Sequence, residues 1–197
     1  MPPTADQPTR VVIAEDEAII RLDLKELLEE EGYEVVGETG RGDEAVELAR
    51  TLNPDLAILD IKMPGMDGLA AARIINAEKL CGVLVLTAFS QREVVEEARD
   101  AGALAYLVKP FQKSDLIPAI EVALGRFAEL TALERDLEDL QARLDARKVI
   151  DRAKGRLMDE HGMTEQDAWR FLQQQAMTNR VRNDEIARRV IDGELTP

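Results

Sequence analysis

From Arg10 to about Val108, five short runs rich in Val, Ile and Leu alternate with longer stretches whose apolar residues recur every three to four positions. The short runs suit strands buried on both faces, and the longer ones suit amphipathic helices. Strand and helix in regular alternation leave few solutions, of which a parallel sheet covered by crossover helices is the simplest. The strands read RVVIA (Arg10 to Ala14), YEVVGE (Tyr33 to Glu38), DLAILD (Asp55 to Asp60), VLVLT (Val83 to Thr87) and AYLVK (Ala105 to Lys109). Helical patterns cover about Ala18 to Glu31, Gly42 to Leu52, Gly68 to Glu78 and Gln91 to Ala101, with Gly32, Asn53-Pro54 and Gly102 as stops.

The pattern changes after Pro110, and from Ser114 onward everything reads as helix. Leu130, Leu133, Leu137, Leu140 and Leu144 recur at alternating spacings of three and four, flanked by charges such as Glu134, Arg135, Asp139 and Arg143. This two-heptad seam suits a second copy of the chain or a neighbouring helix of the same chain. A final block carries helices near Arg147 to His161, Thr164 to Met177 and Asn183 to Ile191. Gly162 ends the first, Thr164 to Asp167 has the spacing of a capping box, and Asn183 is placed to cap the third. The expected architecture is therefore α/β, a doubly wound five-stranded parallel sheet over residues 9–125, a helical linker over 126–146 and a small three-helix domain over 147–197.

Charge separates the same regions. The chain carries a net charge of -14. Residues 1–125 hold 24 acidic and 12 basic side chains, residues 126–145 hold 6 and 3, and residues 146–197 hold 9 and 10. Nonspecific polyanion binding by the whole chain is disfavoured, and any nucleic-acid surface belongs to the last segment. The single cysteine, Cys81, cannot form an internal disulfide. No apolar run approaches the roughly 18 residues that cross a bilayer, and the N-terminal MPPTADQPTR has no secretory pattern, so a cytoplasmic protein is expected.

In a parallel α/β sheet, ligands gather at the carboxyl ends of the strands. Here Glu15 and Asp16 follow the first strand, while Asp60, Thr87 and Lys109 end the third, fourth and fifth. Three carboxylates on one edge repel unless a cation sits among them, and a hard-oxygen donor set suits magnesium. A carboxylate beside such an ion can attack phosphorus, while a lysine and a hydroxyl hold the transferred oxygens. A phosphatase of the dehalogenase type, which also uses an aspartyl nucleophile, needs a general acid two residues later, and that position is Lys62. The residues thus favour a phosphate acceptor over a hydrolytic enzyme.

Glu15-Asp16, the run DIKMPGMDG from Asp60 to Gly68, Thr87-Ala88, Tyr106 and Lys109-Pro110-Phe111 together resemble a receiver domain of two-component signalling. The resemblance spans about 115 residues and implies a flavodoxin-like fold. It further implies that Asp60 is phosphorylated by a sensor histidine kinase, and that Asp16 and Asp60 bind Mg2+ with help from Glu15 and the backbone carbonyl of Lys62. Lys109 would contact the phosphoryl group, Thr87 would follow it inward, and Tyr106 would turn with it as the switch. A cis Lys109-Pro110 bond belongs to the same resemblance. The family more often has Asp where this chain has Glu15, and the longer side chain bears on metal affinity.

The segment AKGRLMDEHGMTEQDAWRFLQQQAM from Ala153 to Met177, with Asn179 and DEIARRVI from Asp184 to Ile191, resembles the ANTAR domain of transcription antitermination regulators. This implies binding to RNA hairpins. Lys148, Arg152 and Arg156 recur every four residues as a basic stripe with Arg147 and Lys154 nearby, and Arg180, Arg182, Arg188 and Arg189 form a second basic group. Trp169 could serve as a stacking platform, yet its spacing with Leu172 and Ala176 favours the core. Lone His161 has no partner for metal binding. A DNA-binding helix-turn-helix output and a protein-interaction relay are the competing functions.

Overall fold

The computed structural model describes residues 7–88 and 92–197. Two compact units divide between Thr131 and Ala132. In the first, the strands are β1 (Arg10–Ala14), β2 (Glu34–Thr39), β3 (Leu56–Asp60), β4 (Gly82–Thr87) and β5 (Ala105–Val108). They form one parallel sheet in the order β2-β1-β3-β4-β5. The intervening helices are α1 (Ala18–Glu30), α2 (Gly42–Leu52), α3 (Gly68–Ala77) and α4 (Arg92–Asp100). Gln91, expected at the start of the fourth helix, lies outside the described residues.

Side chains alternate across a strand, so β3 serves two cores at once. Leu56 and Ile58 join Leu24, Leu28, Leu116 and Ile120 on one face; Ala57 and Leu59 join Val46, Ala49, Leu69 and Ile75 on the other. All five β3 residues are buried, which explains the unbroken apolar run that ends in a single acid. Helices stop where backbone chemistry dictates. Gly32 and Gly102 take positive φ, and Asn53 adopts the left-handed conformation. The Lys109-Pro110 peptide is cis, as the resemblance implied.

Helix α5 runs unbroken from Lys113 to His161. The separate linker and output helices expected from the sequence are thus one element. Nothing between them breaks a helix: Gly125 and Gly155 face open space and cost only about 1 kcal/mol each. The seam leucines are exposed along it, from Leu130 at 50% to Leu137 at 63%.

In the second unit, α6 (Glu165–Asn179) and α7 (Asn183–Ile191) pack with the end of α5 around Ala153, Leu157, Ala168, Leu172, Ala176, Ile186, Ala187 and Val190. The Thr164 hydroxyl accepts from the Asp167 amide at 3.2 Å, satisfying one free donor at the start of α6. Asn183 does not cap α7. It is the first helical residue, and Arg182 occupies the cap position without a side-chain hydrogen bond to the helix backbone. Among the described residues, no helix is long and apolar enough to cross a membrane.

Candidate functional site

In the order β2-β1-β3-β4-β5, the strand sequence reverses between β1 and β3, and a crevice opens at the carboxyl ends there. Glu15 and Asp16 leave β1 on one side of it, and Asp60 closes β3 on the other. One carboxylate oxygen from each lies within 4.8 Å of the others. Glu15 and Asp60 are buried and Asp16 is exposed, so the cluster opens toward solvent through Asp16.

Lys109, just beyond β5, brings the compensating charge. Its Nζ donates to Glu15 Oε2 at 2.5 Å and reaches Asp60 Oδ1 at 2.7 Å. Burial raises the Glu15 carboxyl above its usual range; the hydrogen bond from Lys109 works against that rise, and the neighbouring Asp60 charge adds to it. Burial alone would lower the Lys109 ammonium, but hydrogen bonds to Asp60 and Glu15 outweigh it and hold the group protonated. The site therefore presents two buried carboxylates and one exposed one, with one cation already shared between the buried pair.

The loop after β3 fixes the third acid. The Lys62 amide donates to Asp60 Oδ2 at 3.0 Å. Gly68 begins α3 so close to Asp60 that a Cβ there would meet the Asp60 carbonyl oxygen at 1.9 Å. The last glycine of DIKMPGMDG is thus a packing requirement of the strand that carries the acid. Thr87 ends β4 buried at 2% exposure, and its carbonyl accepts from the Lys109 amide at 2.7 Å. Tyr106 on β5 pairs in register with Val85 on β4 and is 48% exposed. Arg21 escaped notice in the sequence. Its guanidinium donates to the Glu15 backbone carbonyl from α1, a contact that only folding brings together.

The basic residues of the second unit are less alike than their spacing suggested. Lys148 and Arg152 are exposed, as are Arg180, Arg182 and Arg188, while Arg189 is half-buried. Lys154 is held by Asp151 at 2.9 Å and Glu165 at 2.8 Å, and Arg156 by Glu160 and the Ile191 carbonyl. Those two tie α5 to its neighbours. Trp169 is 36% exposed and lies outside the core, contrary to expectation. Ala168, Leu172 and Ala176, four residues apart, fill the buried stripe of α6, and Trp169 is turned about 100° from Ala168.

The family model described as response regulator receiver domain matches residues 11–121. The chain is a response regulator. A second model, the ANTAR domain, matches residues 138–191. The chain is similar to the transcriptional regulatory protein PdtaR of Mycobacterium tuberculosis, with 56% identity across 99% of this chain and 97% of the relative. It is also 41% identical to the chemotaxis protein CheY of Thermotoga maritima, over 56% of this chain and 93% of that one. Among solved structures, the receiver domain of the putative regulator NarL from M. tuberculosis aligns with a TM-score of 0.58 at 30% identity, covering 60% of this chain and 98% of that one. A CheX-CheY-BeF3-Mg complex from Borrelia burgdorferi aligns at 0.55 with 26% identity, over 57% and 87%. This response regulator pairs its receiver with an ANTAR output and is a transcription-regulatory protein by family.

Proposed function

We propose that this response regulator accepts a phosphoryl group on Asp60 from a sensor histidine kinase and binds RNA hairpins through its ANTAR domain to control transcription termination. The observation that carries the first half is the cluster of Glu15, Asp16 and Asp60 with Lys109 bridging two of them.

The donor set fits magnesium, because it is all hard oxygen and its mutual repulsion is only partly relieved by one lysine. Asp16 and Asp60 would hold the ion, with Glu15 and the Lys62 carbonyl as helpers. When bound, magnesium neutralises carboxylate charge and stabilises the oxygens of the group in transfer. The CheY of B. burgdorferi, in its complex with CheX, BeF3 and Mg, supports that choice of ion. An Asp60 oxygen attacks the phosphorus of phosphohistidine, the P–N bond breaks, and an aspartyl P–O bond forms. Lys109 then pairs with the new phosphoryl oxygens, Thr87 hydrogen-bonds one of them from β4, and Tyr106 follows as the switch on the β5 face. With Lys62 where a hydrolase would keep an acid, the acyl phosphate is lost slowly, which suits a timed signal.

For the output, exposed Lys148, Arg152, Arg180 and Arg188 supply phosphate contacts, with Lys154, Arg156, Arg182 and Arg189 holding the surface in shape. Residues 9–125 act as the receiver, 126–146 as the linker and 147–197 as the output. Exposed leucines repeating at the same heptad positions are self-complementary, so a second copy of the chain is the partner proposed for Leu130, Leu133, Leu137, Leu140 and Leu144. Sedimentation over a range of concentrations checks this, and a monomer throughout removes it. The functional reading is tested by comparing phosphorylated full-length protein on hairpin RNA and duplex DNA at matched salt. Tighter RNA binding is expected, and equal affinity for DNA would overturn the antitermination reading.

A further inference from the structure

In the second unit an open groove of about 950 Å³ lies between the end of α5 and the start of α6. Its residues bring together three things that recur where single-stranded nucleic acid is held: an aromatic face, an apolar floor and a positive rim. Trp169 is the aromatic face, 36% exposed although the buried stripe beside it is complete without it. Ala146 and Ile150 of α5 supply the floor. The rim holds four cations, Arg143, Arg147, Lys154 and Arg182, against two carboxylates, Asp151 and Glu165, on a chain whose net charge is -14.

The ion pairs say which of these charges remain for a ligand. Lys154 sits between both carboxylates and cancels much of their charge. Arg182 is shared with Asp184 at 2.9 Å. Arg147 approaches Asp151 only at 3.9 Å with 82% of its side chain exposed, and Arg143 has no ion-pair partner among the described residues. Arg143 and Arg147, one turn apart on α5, are therefore the cations left for phosphate. The same Arg143 reads in the sequence as a flanking charge of the leucine seam, which is why it was not counted with the basic residues of the output.

We infer that this groove receives an unpaired base of an RNA loop, stacked on the Trp169 indole, with the flanking phosphates held by Arg143 and Arg147. A planar base matches the indole face and the aliphatic floor, and Gln166 on the groove wall offers both a donor and an acceptor to a base edge. Base-paired RNA has no free face to stack, so the groove separates hairpin loops from uniform duplex. This rests on the RNA-binding reading above and specifies the contact that reading leaves open.

Trp169 is the only tryptophan in the chain, so its fluorescence reports the groove directly. The full-length protein, incubated with a small phosphodonor and magnesium, is titrated with hairpin RNA carrying a randomised loop and with blunt duplex RNA of equal length. Labelled-RNA anisotropy and tryptophan emission are read together. The hairpin pool is expected to quench the emission and the duplex to leave it unchanged. Trp169→Ala should weaken hairpin binding about five- to a hundredfold, the range that loss of one stacked base gives. Trp169→Phe should restore most of it, and a thermal transition of Trp169→Ala matching that of the wild type shows that a lost fold is not the cause. Arg143→Ala combined with Arg147→Ala should flatten the salt dependence. Hairpin binding with unquenched Trp169 and full affinity in Trp169→Ala would overturn the groove while leaving RNA binding intact. Failure of the wild-type chain to bind any hairpin would remove the RNA reading and the groove with it. Quenching by an acidic peptide as strong as by the hairpin pool would also overturn the assignment.

Discussion

The receiver and the output unit solve opposite problems with charge. The receiver buries it: Glu15, Asp60 and Lys109 meet at the carboxyl ends of three strands, locked by hydrogen bonds over a two-sided core. The output keeps most of its charge outside, with Asp184 alone among its described charged residues buried, on three helices around a core of eight mostly small side chains. A buried cluster has one arrangement, since each group needs its partner. An exposed set of arginines has many, and its meaning depends on what else shares its surface. The proposed bond-making chemistry thus falls in the unit with the buried cluster, and the proposed recognition in the unit whose cations lie at the surface.

The largest expected effect tests the rigid half of that contrast. Lys109→Ala leaves Glu15 and Asp60 facing each other without their shared cation. Phosphate uptake from a small phosphodonor should fall about a hundred- to a thousandfold, as when one charge-stabilising donor is removed. Uptake near the wild-type rate would mean that the bridge is structural only. Next comes the thin core. Leu172→Ala should destabilise the output unit by about 2–5 kcal/mol, read as an early thermal transition while the receiver still melts where it did. A single transition shifted as a whole would erase the contrast between the units.

Cys81 sharpens the comparison through pH. Burial, with the nearby Asp55 charge, pushes its thiol up to about 12 from an ordinary value near 9. The folded state therefore favours the neutral thiol. Its contribution to stability is complete below the unfolded pKa and is lost as pH rises from about 9 to 12. Thiol reagents at pH 8 should label Cys81 only as fast as the receiver opens, and rapid labelling of the native protein would contradict the packing. The smallest effect belongs to the output surface. Arg152→Ala should change stability by less than about 0.5 kcal/mol and lower the salt dependence of RNA binding by roughly one phosphate contact. A larger loss of stability would show that Arg152 is a structural tie, like Arg156.

How far the sequence was legible follows the same division. Four of the five receiver strands lead into residues of the proposed site, so Glu15, Asp16, Asp60, Thr87 and Lys109 are legible from strand ends, while β2, ending at Thr39, contributes none. Folding brings Lys109 to Glu15, 94 residues earlier in the chain, and to Asp60 from the middle of the domain. Arg21 was not legible as part of the site, because its partner there is the Glu15 backbone carbonyl, which leaves no trace in composition. In the output the stripe of Lys148, Arg152 and Arg156 is legible as spacing, while the ion pairs along it are not. Periodicity says which side chains share a face, and cannot say that Glu160 and the Ile191 carbonyl already occupy Arg156. Trp169 failed for a related reason: aromatic residues are more often core, and only the completeness of Ala168, Leu172 and Ala176 shows that this one is left over. The helical linker merged into α5 because no residue between Arg126 and His161 opposes a helix strongly enough to end it.

The central claim, that Asp60 is the metal-assisted phosphate acceptor, is tested most directly by labelling the full chain with a small radioactive phosphodonor, with and without magnesium, beside Asp60→Asn. The account predicts one acid-labile phosphate per chain in the wild type, dependent on magnesium, and none in the variant. Labelling of Asp60→Asn at the wild-type level would contradict it.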